Sequence, residues 1–278
     1  VAKEENEGKL DCDWLSRCVP VFAVLPKSWC WLLFALAGVE AFASQGLQAQ
    51  VLYGKPVEVR LHRQAIDNGP TEKLGIYVSI GDSSTPTLFE FDTGGSGFFA
   101  AYSRNGESTW WGNSGWSSSQ TPVSNKYGSG LEYQGFAASG TVNLFEDALT
   151  TTPKLQVNGV ELAQTTKILY SKTNERLWPL PSQSSLCPNK PSTECAFWGD
   201  FGMALKAGKS DSVDSLIRQA AFWTSFDMSV ITPGYRVRAA GPEPSIQFGL
   251  GADDLRAEGS SFVLDLTTGQ VSGGLMVT

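Results

Sequence analysis

From about Gln50 onward, apolar and polar positions fall into short alternating runs broken by Gly, Ser, Pro and Asn, the pattern of strands joined by turns. Residues 75–81 alternate as a half-buried strand does, residues 82–86 read as a turn, and the apolar run 88–91 returns as the second arm. Residues 108–124 are rich in Trp, Ser and Gly and read as loop. Packing is the favoured role for Trp110, Trp111 and Trp116 there, over lining a cleft. Residues 126–137 predict a hairpin with Gly128, Ser129 and Gly130 at its tip, and residues 136–144 continue its second arm. Asn158-Gly159, between apolar arms in residues 154–162, predicts a further tight hairpin turn. Residues 171–195 are polar and Pro-rich, an external loop. One helix is expected over residues 212–222, capped by Ser210 or Asp211, with Val213, Leu216, Ile217 and Ala220 on one face. Strands at residues 226–231, 245–250 and 262–266 complete an all-β reading.

Composition agrees, because sparse charge with frequent Gly, Phe and Trp suits a β-rich globular protein better than a helical bundle. The net charge of −7 argues against a nucleic-acid partner. The one histidine, His62, reads as a surface residue beside Arg60 and Arg63. A Ser-His-Asp triad would have to use it, and no Gly-x-Ser-x-Gly elbow accompanies it. Most zinc sites are removed for the same reason, so neither a metal nor a cofactor is expected.

Residues 1–49 read as a leader. Lys27 precedes the apolar run 29–39, which has the length of a signal-peptide core, and Ala41-Phe42-Ala43 offers a small-x-small cleavage site. With that core at about residues 29–43, a secretory signal leaves residues 50–278 as the mature chain, secreted or in an endomembrane or vacuolar lumen, with no membrane attachment after cleavage. Cys12, Cys18 and Cys30 then depart, and Cys187 and Cys195 remain as a small loop disulfide.

Chemistry concentrates at Phe91-Asp92-Thr93-Gly94-Gly95-Ser96-Gly97. An Asp at the end of a buried strand, followed by Thr-Gly-Gly, sets a carboxylate on a tight turn where backbone N–H groups favour its ionised form. Other short matches carry less: Asp200-Phe201-Gly202 spells a kinase triplet without a phosphate loop, and Gly249-Leu250-Gly251 opens no helix. Asp253-Asp254 reads as a solvated turn.

The order of motifs resembles the amino-terminal lobe of a pepsin-like aspartic protease. Ile80-Gly81, Pro86 and Phe91-Asp92-Thr93-Gly94 are similar to that family's approach to its first catalytic aspartate, and Tyr127-Gly128-Ser129-Gly130 to its flap. Gly199-Asp200-Phe201-Gly202-Met203 stands where an element crosses under the active site. Residues 212–222 and Ser245-Ile246-Gln247-Phe248-Gly249 with Asp253 are similar to the lobe's late helix and closing signature. The resemblance runs from about Val57 to Asp254. It implies a double-psi type β-barrel with a flap hairpin and one or two short helices, and an endopeptidase acting on polypeptides. Asp92 would be catalytic, Thr93 to Ser96 would form its loop, and residues 127–130 would bind substrate.

Three positions depart from the pattern. Gly95 replaces a Ser whose hydroxyl supports the catalytic carboxylate, Phe99 replaces a Trp that donates to the flap tyrosine, and Asp200 replaces an apolar residue. No second Asp-Thr/Ser-Gly follows, while the chemistry needs two carboxyls sharing one proton. The partner is expected from a missing second lobe, the chain being read as a fragment that starts at Val1, or from a second copy of the chain. Asp265 is a poor substitute, with its glycine four places on. The alternative is a catalytically silent pepsin-fold protein that binds peptide, protein or carbohydrate.

Overall fold

The computed structural model describes residues 52–65, 72–101, 111–127, 132–169, 197–204, 211–256, 262–266 and 271–272. The leader, the hairpin tip Gly128–Gly130, the loop 171–195 and both Cys187 and Cys195 lie outside the described residues. The chain divides into Val1–Gln50 and Val51–Thr278, and every described residue belongs to the second unit.

That unit is all-β. Its strands are β1 (Val57–Arg60), β2 (His62–Ala65), β3 (Glu72–Ile80), β4 (Thr87–Asp92), β5 (Phe98–Ala101), β6 (Trp116–Lys126), β7 (Glu132–Phe145) and β8 (Leu155–Leu169). They are followed by β9 (Gly199–Gly202), β10 (Thr232–Arg238), β11 (Ser245–Leu250), β12 (Phe262–Leu264) and β13 (Val271–Ser272). One sheet has the order β1-β11-β10-β12-β13 and the other β2-β3-β4-β9-β5-β8-β7-β6. An additional β3–β7 pairing joins β3-β4-β9-β5-β8-β7 into a closed ring, which leaves those strands no free edge. Between β1 and β2 the chain passes from one sheet to the other at the buried Leu61.

The larger core draws on both sheets, with Ile76, Phe89, Phe91, Phe98, Phe201 and Phe248 among its members. Phe89 stacks on Phe98 with centroids 5.6 Å apart. Each such ring taken from water contributes about 2–3 kcal/mol. A smaller cluster, including Leu88, Phe99, Val123, Tyr133 and Ala163, lies on the opposite face of the same strands.

Several expectations give way here. Asn158-Gly159 is not a hairpin turn: β8 runs straight through it, paired with β7 on both sides. Gly140 faces Val160 and Val142 faces Val157, so Asn158 and Gly159 together oppose Thr141 as a bulge, with Gly159 at φ 66°. The helix over residues 212–222 shrinks to a 3-10 turn at Leu216–Arg218 and α1 (Ala220–Trp223), without a side-chain cap. Upstream the backbone is held extended, because Asp214 bridges to Gly97 and Ser215 N–H donates to the Ser96 carbonyl. Val213, Leu216 and Ile217 are buried as expected, whereas Ala220 is exposed. Residues 226–231 form turns rather than a strand, since the Asp227 carboxylate accepts both the N–H and the hydroxyl of Ser229. The end of the loop expected over residues 108–124 is β6, and Trp111 packs edge-on against Trp116 at 4.8 Å. Asp254 is bonded rather than merely solvated: it pairs with Arg236 and accepts from Gln247, within α2 (Ala252–Arg256). His62 is half-buried, its ring bonded to the Glu146 carbonyl and set edge-on to Tyr77.

Candidate active site

Alternation along β4 decides which side chains meet. Phe89 and Phe91 enter the larger core, so Leu88, Glu90 and Asp92 face the other way, toward the smaller cluster. β9 is inserted between β4 and β5, parallel to the first and antiparallel to the second. Its Phe201 joins Phe91 and Phe98 in the large core, with centroids 6.3 and 5.7 Å away. Asp200, one residue earlier, is therefore turned to the Asp92 side, opposite Glu90 on β4 and Phe99 on β5.

The loop after Asp92 is fixed by backbone bonds. Gly94 N–H donates to Asp92 Oδ1 at 2.8 Å, and Gly95 N–H to the Asp92 carbonyl at 3.2 Å. From beneath, Met203 and Ala204 N–H donate to the carbonyls of Asp92 and Gly95, each at 2.8 Å, and Gly202 N–H to that of Gly97 at 3.1 Å. A Cβ on Gly202 would stand 2.3 Å from the Gly97 carbonyl oxygen, so only glycine lets the two segments approach this closely. Thr93 and Gly94 are exposed, Asp92 and Ser96 half-buried, and Gly95 buried.

Tyr127, just beyond β6, leans over this face, with its ring 6.5 Å from those of Phe99 and Tyr133. Its hydroxyl donates to Asp200 Oδ2 at 2.7 Å. Asp200 is buried, and its Oδ1 has no hydrogen-bond partner among the described residues. Burial, then the charges of Asp92 and Glu90, push the Asp200 carboxyl well above the ordinary carboxylate range; Tyr127 and Lys73 pull only partly against this. Glu90 is also pushed up, by burial first, although Lys73 pairs with it directly. The hydroxyls of Tyr127 and Tyr133 are raised by burial and by Asp200, so both stay protonated.

Asp92, Thr93, Gly94, Gly95, Ser96 and Tyr127 are thus brought to one face. Gly128, Ser129, Gly130, Cys187 and Cys195 cannot be placed on it, since they lie outside the described residues. Asp265 is exposed just after β12, in the other sheet. Sequence reasoning missed Glu90, Lys73 and the part taken by Asp200. The signal was present in Glu90 and Asp92, two residues apart on a strand, and in a charge at an apolar position of a short motif.

Among the described residues, no group of three or more His, Cys, Asp or Glu side chains is arranged to hold a metal ion. None of the described helices is long and apolar enough to cross a membrane. Neither comparison, with protein-family models or with curated proteins, finds a match to this chain.

Proposed function

We propose that this chain is an aspartic endopeptidase lobe of pepsin-like, double-psi type, in which Asp92 supplies one carboxylate of the catalytic pair. The observation that carries this reading is the Asp92 turn. A carboxylate stands at the end of a buried strand, accepts the Gly94 N–H at 2.8 Å and stays half exposed beneath Tyr127. Such a carboxylate, oriented by N–H donation, can take a proton from the water that attacks a peptide carbonyl. A protonated carboxyl about 3 Å away would polarise that carbonyl and protonate the leaving amine. That partner comes from a second lobe or from a second copy of the chain.

The substrate is an extended polypeptide with apolar residues flanking the scissile bond. The β6–β7 hairpin carries Tyr127 over it and excludes water. Secretion to an extracellular, endomembrane or vacuolar lumen and a Cys187–Cys195 disulfide belong to the same reading, which requires no cofactor.

Two observations favour a silent, ligand-binding pepsin fold as the second reading: position 95 carries no hydroxyl, and the Tyr127 hydroxyl is already engaged by Asp200. Calorimetry with a statine-type inhibitor at acid pH separates the two. The peptidase reading expects binding that weakens about 100-fold or more in Asp92→Asn, because such inhibitors mimic the transition state. Equal affinity of the variant would leave only the silent binder.

A further inference from the structure

We propose that Asp200 is the positioning carboxyl of this site: it holds a proton beside Asp92 in the space that Gly95 leaves, and it anchors the hydroxyl of Tyr127. The inference rests on the reading of Asp92 as the catalytic carboxylate. A Cβ on Gly95 would stand 2.9 Å from Asp200 Oδ2 and 3.1 Å from Asp92 Oδ2. The two oxygens are therefore at most about 6 Å apart, close enough for the charge of Asp92 to act on Asp200.

Oδ2 of Asp200 is engaged by Tyr127, while Oδ1 is buried with no partner among the described residues. As an anion, that oxygen would be unsolvated and unpaired, a cost that a protonated, neutral carboxyl avoids. The groups packed around it favour the proton. β4 brings the carboxylates Glu90 and Asp92, the segment after β6 brings Tyr127, β7 brings Tyr133, and β5 brings the uncharged Phe99. The one cation among them, Lys73 on β3, is paired with Glu90.

The same geometry joins all three departures from the aspartic-protease pattern. Gly95 and Phe99 replace residues that would donate to Asp92 and to the flap tyrosine. Asp200 lies between the two groups left without those donors.

The test is an NMR titration of the full chain with 13C-labelled aspartate carboxyls, as wild type, Asp200→Asn and Asp92→Asn. One carboxyl, absent from Asp200→Asn, should titrate well above the ordinary carboxylate range, and its midpoint should fall in Asp92→Asn, where a neighbouring charge has gone. A resonance of Asp200 that titrates near the ordinary 3.8, or keeps its midpoint in Asp92→Asn, overturns the proposal. Asparagine keeps the shape of Asp200 and can still accept from Tyr127. If that variant does not fold, through-bond assignment of the wild-type resonance takes its place. The titration needs no turnover, so a chain that titrates as proposed but does not bind the inhibitor overturns the peptidase reading alone. A chain that binds the inhibitor but titrates ordinarily overturns only the role of Asp200.

Discussion

Position 95 has neighbours on three sides: Asp200 Oδ2 at 2.9 Å, Asp92 Oδ2 at 3.1 Å and Gly202 Cα at 3.2 Å from where a Cβ would stand. Real Cβ atoms essentially never come as close as the first of these, so a serine there would have to displace the Asp200 carboxyl or the backbone of β9. The account predicts that Gly95→Ser destabilises the fold by about 1–3 kcal/mol. In an Asp200→Ala background the same change should cost at least about 1 kcal/mol less, because the colliding oxygen has gone. Urea unfolding of the four chains measures this coupling; strictly additive costs would mean that the two positions do not share the space. The turn at Asp92 was legible from the sequence because an apolar run followed by Asp-Thr-Gly-Gly is a local signal. The environment of Asp200 was not, because its neighbours Asp92, Phe99 and Tyr127 come from three distant segments that only the sheet brings together.

Elements with period-two alternation and clear punctuation were readable, as β3, β4 and β11 are. Where local chemistry and the ladder disagreed, the ladder prevailed. Asn158-Gly159 carries the residues of a tight turn, yet β7 pairs on both sides of it and converts the turn into a bulge. The phase of the apolar positions records this: Leu155 and Val157 point inward before the bulge, Val160 and Leu162 after it. A Cβ on Gly159 meets nothing within 4 Å, so the need for glycine lies in its φ of 66° alone. Gly159→Ala should therefore cost about 1 kcal/mol, read as a lowered urea midpoint with an unchanged slope. No loss would mean that the bulge relaxes without a left-handed residue. The four residues of β9 are too short for periodicity, and only their place in a motif order marks them. The shortened helix has a similar cause, since Asp214 and Ser215 are bonded to Gly97 and Ser96 before a helical turn can begin.

At the scale of the molecule, ring closure through the β3–β7 pairing fixes β4, β9 and β5 side by side. That arrangement explains how a short loop can hold Asp92 at the surface while Asp200 stays buried. Whether the Asp92 face acts as one half of a catalytic site is open to direct measurement, because acid proteolysis requires a second carboxyl to meet it. The decisive experiment is cleavage of an unfolded protein substrate at acid pH by the full chain, across a range of chain concentrations, beside Asp92→Asn. Where a second copy supplies the other carboxyl, the account predicts cleavage that rises with the square of concentration and that Asp92→Asn reduces by at least about 100-fold. Cleavage that survives Asp92→Asn undiminished would contradict it.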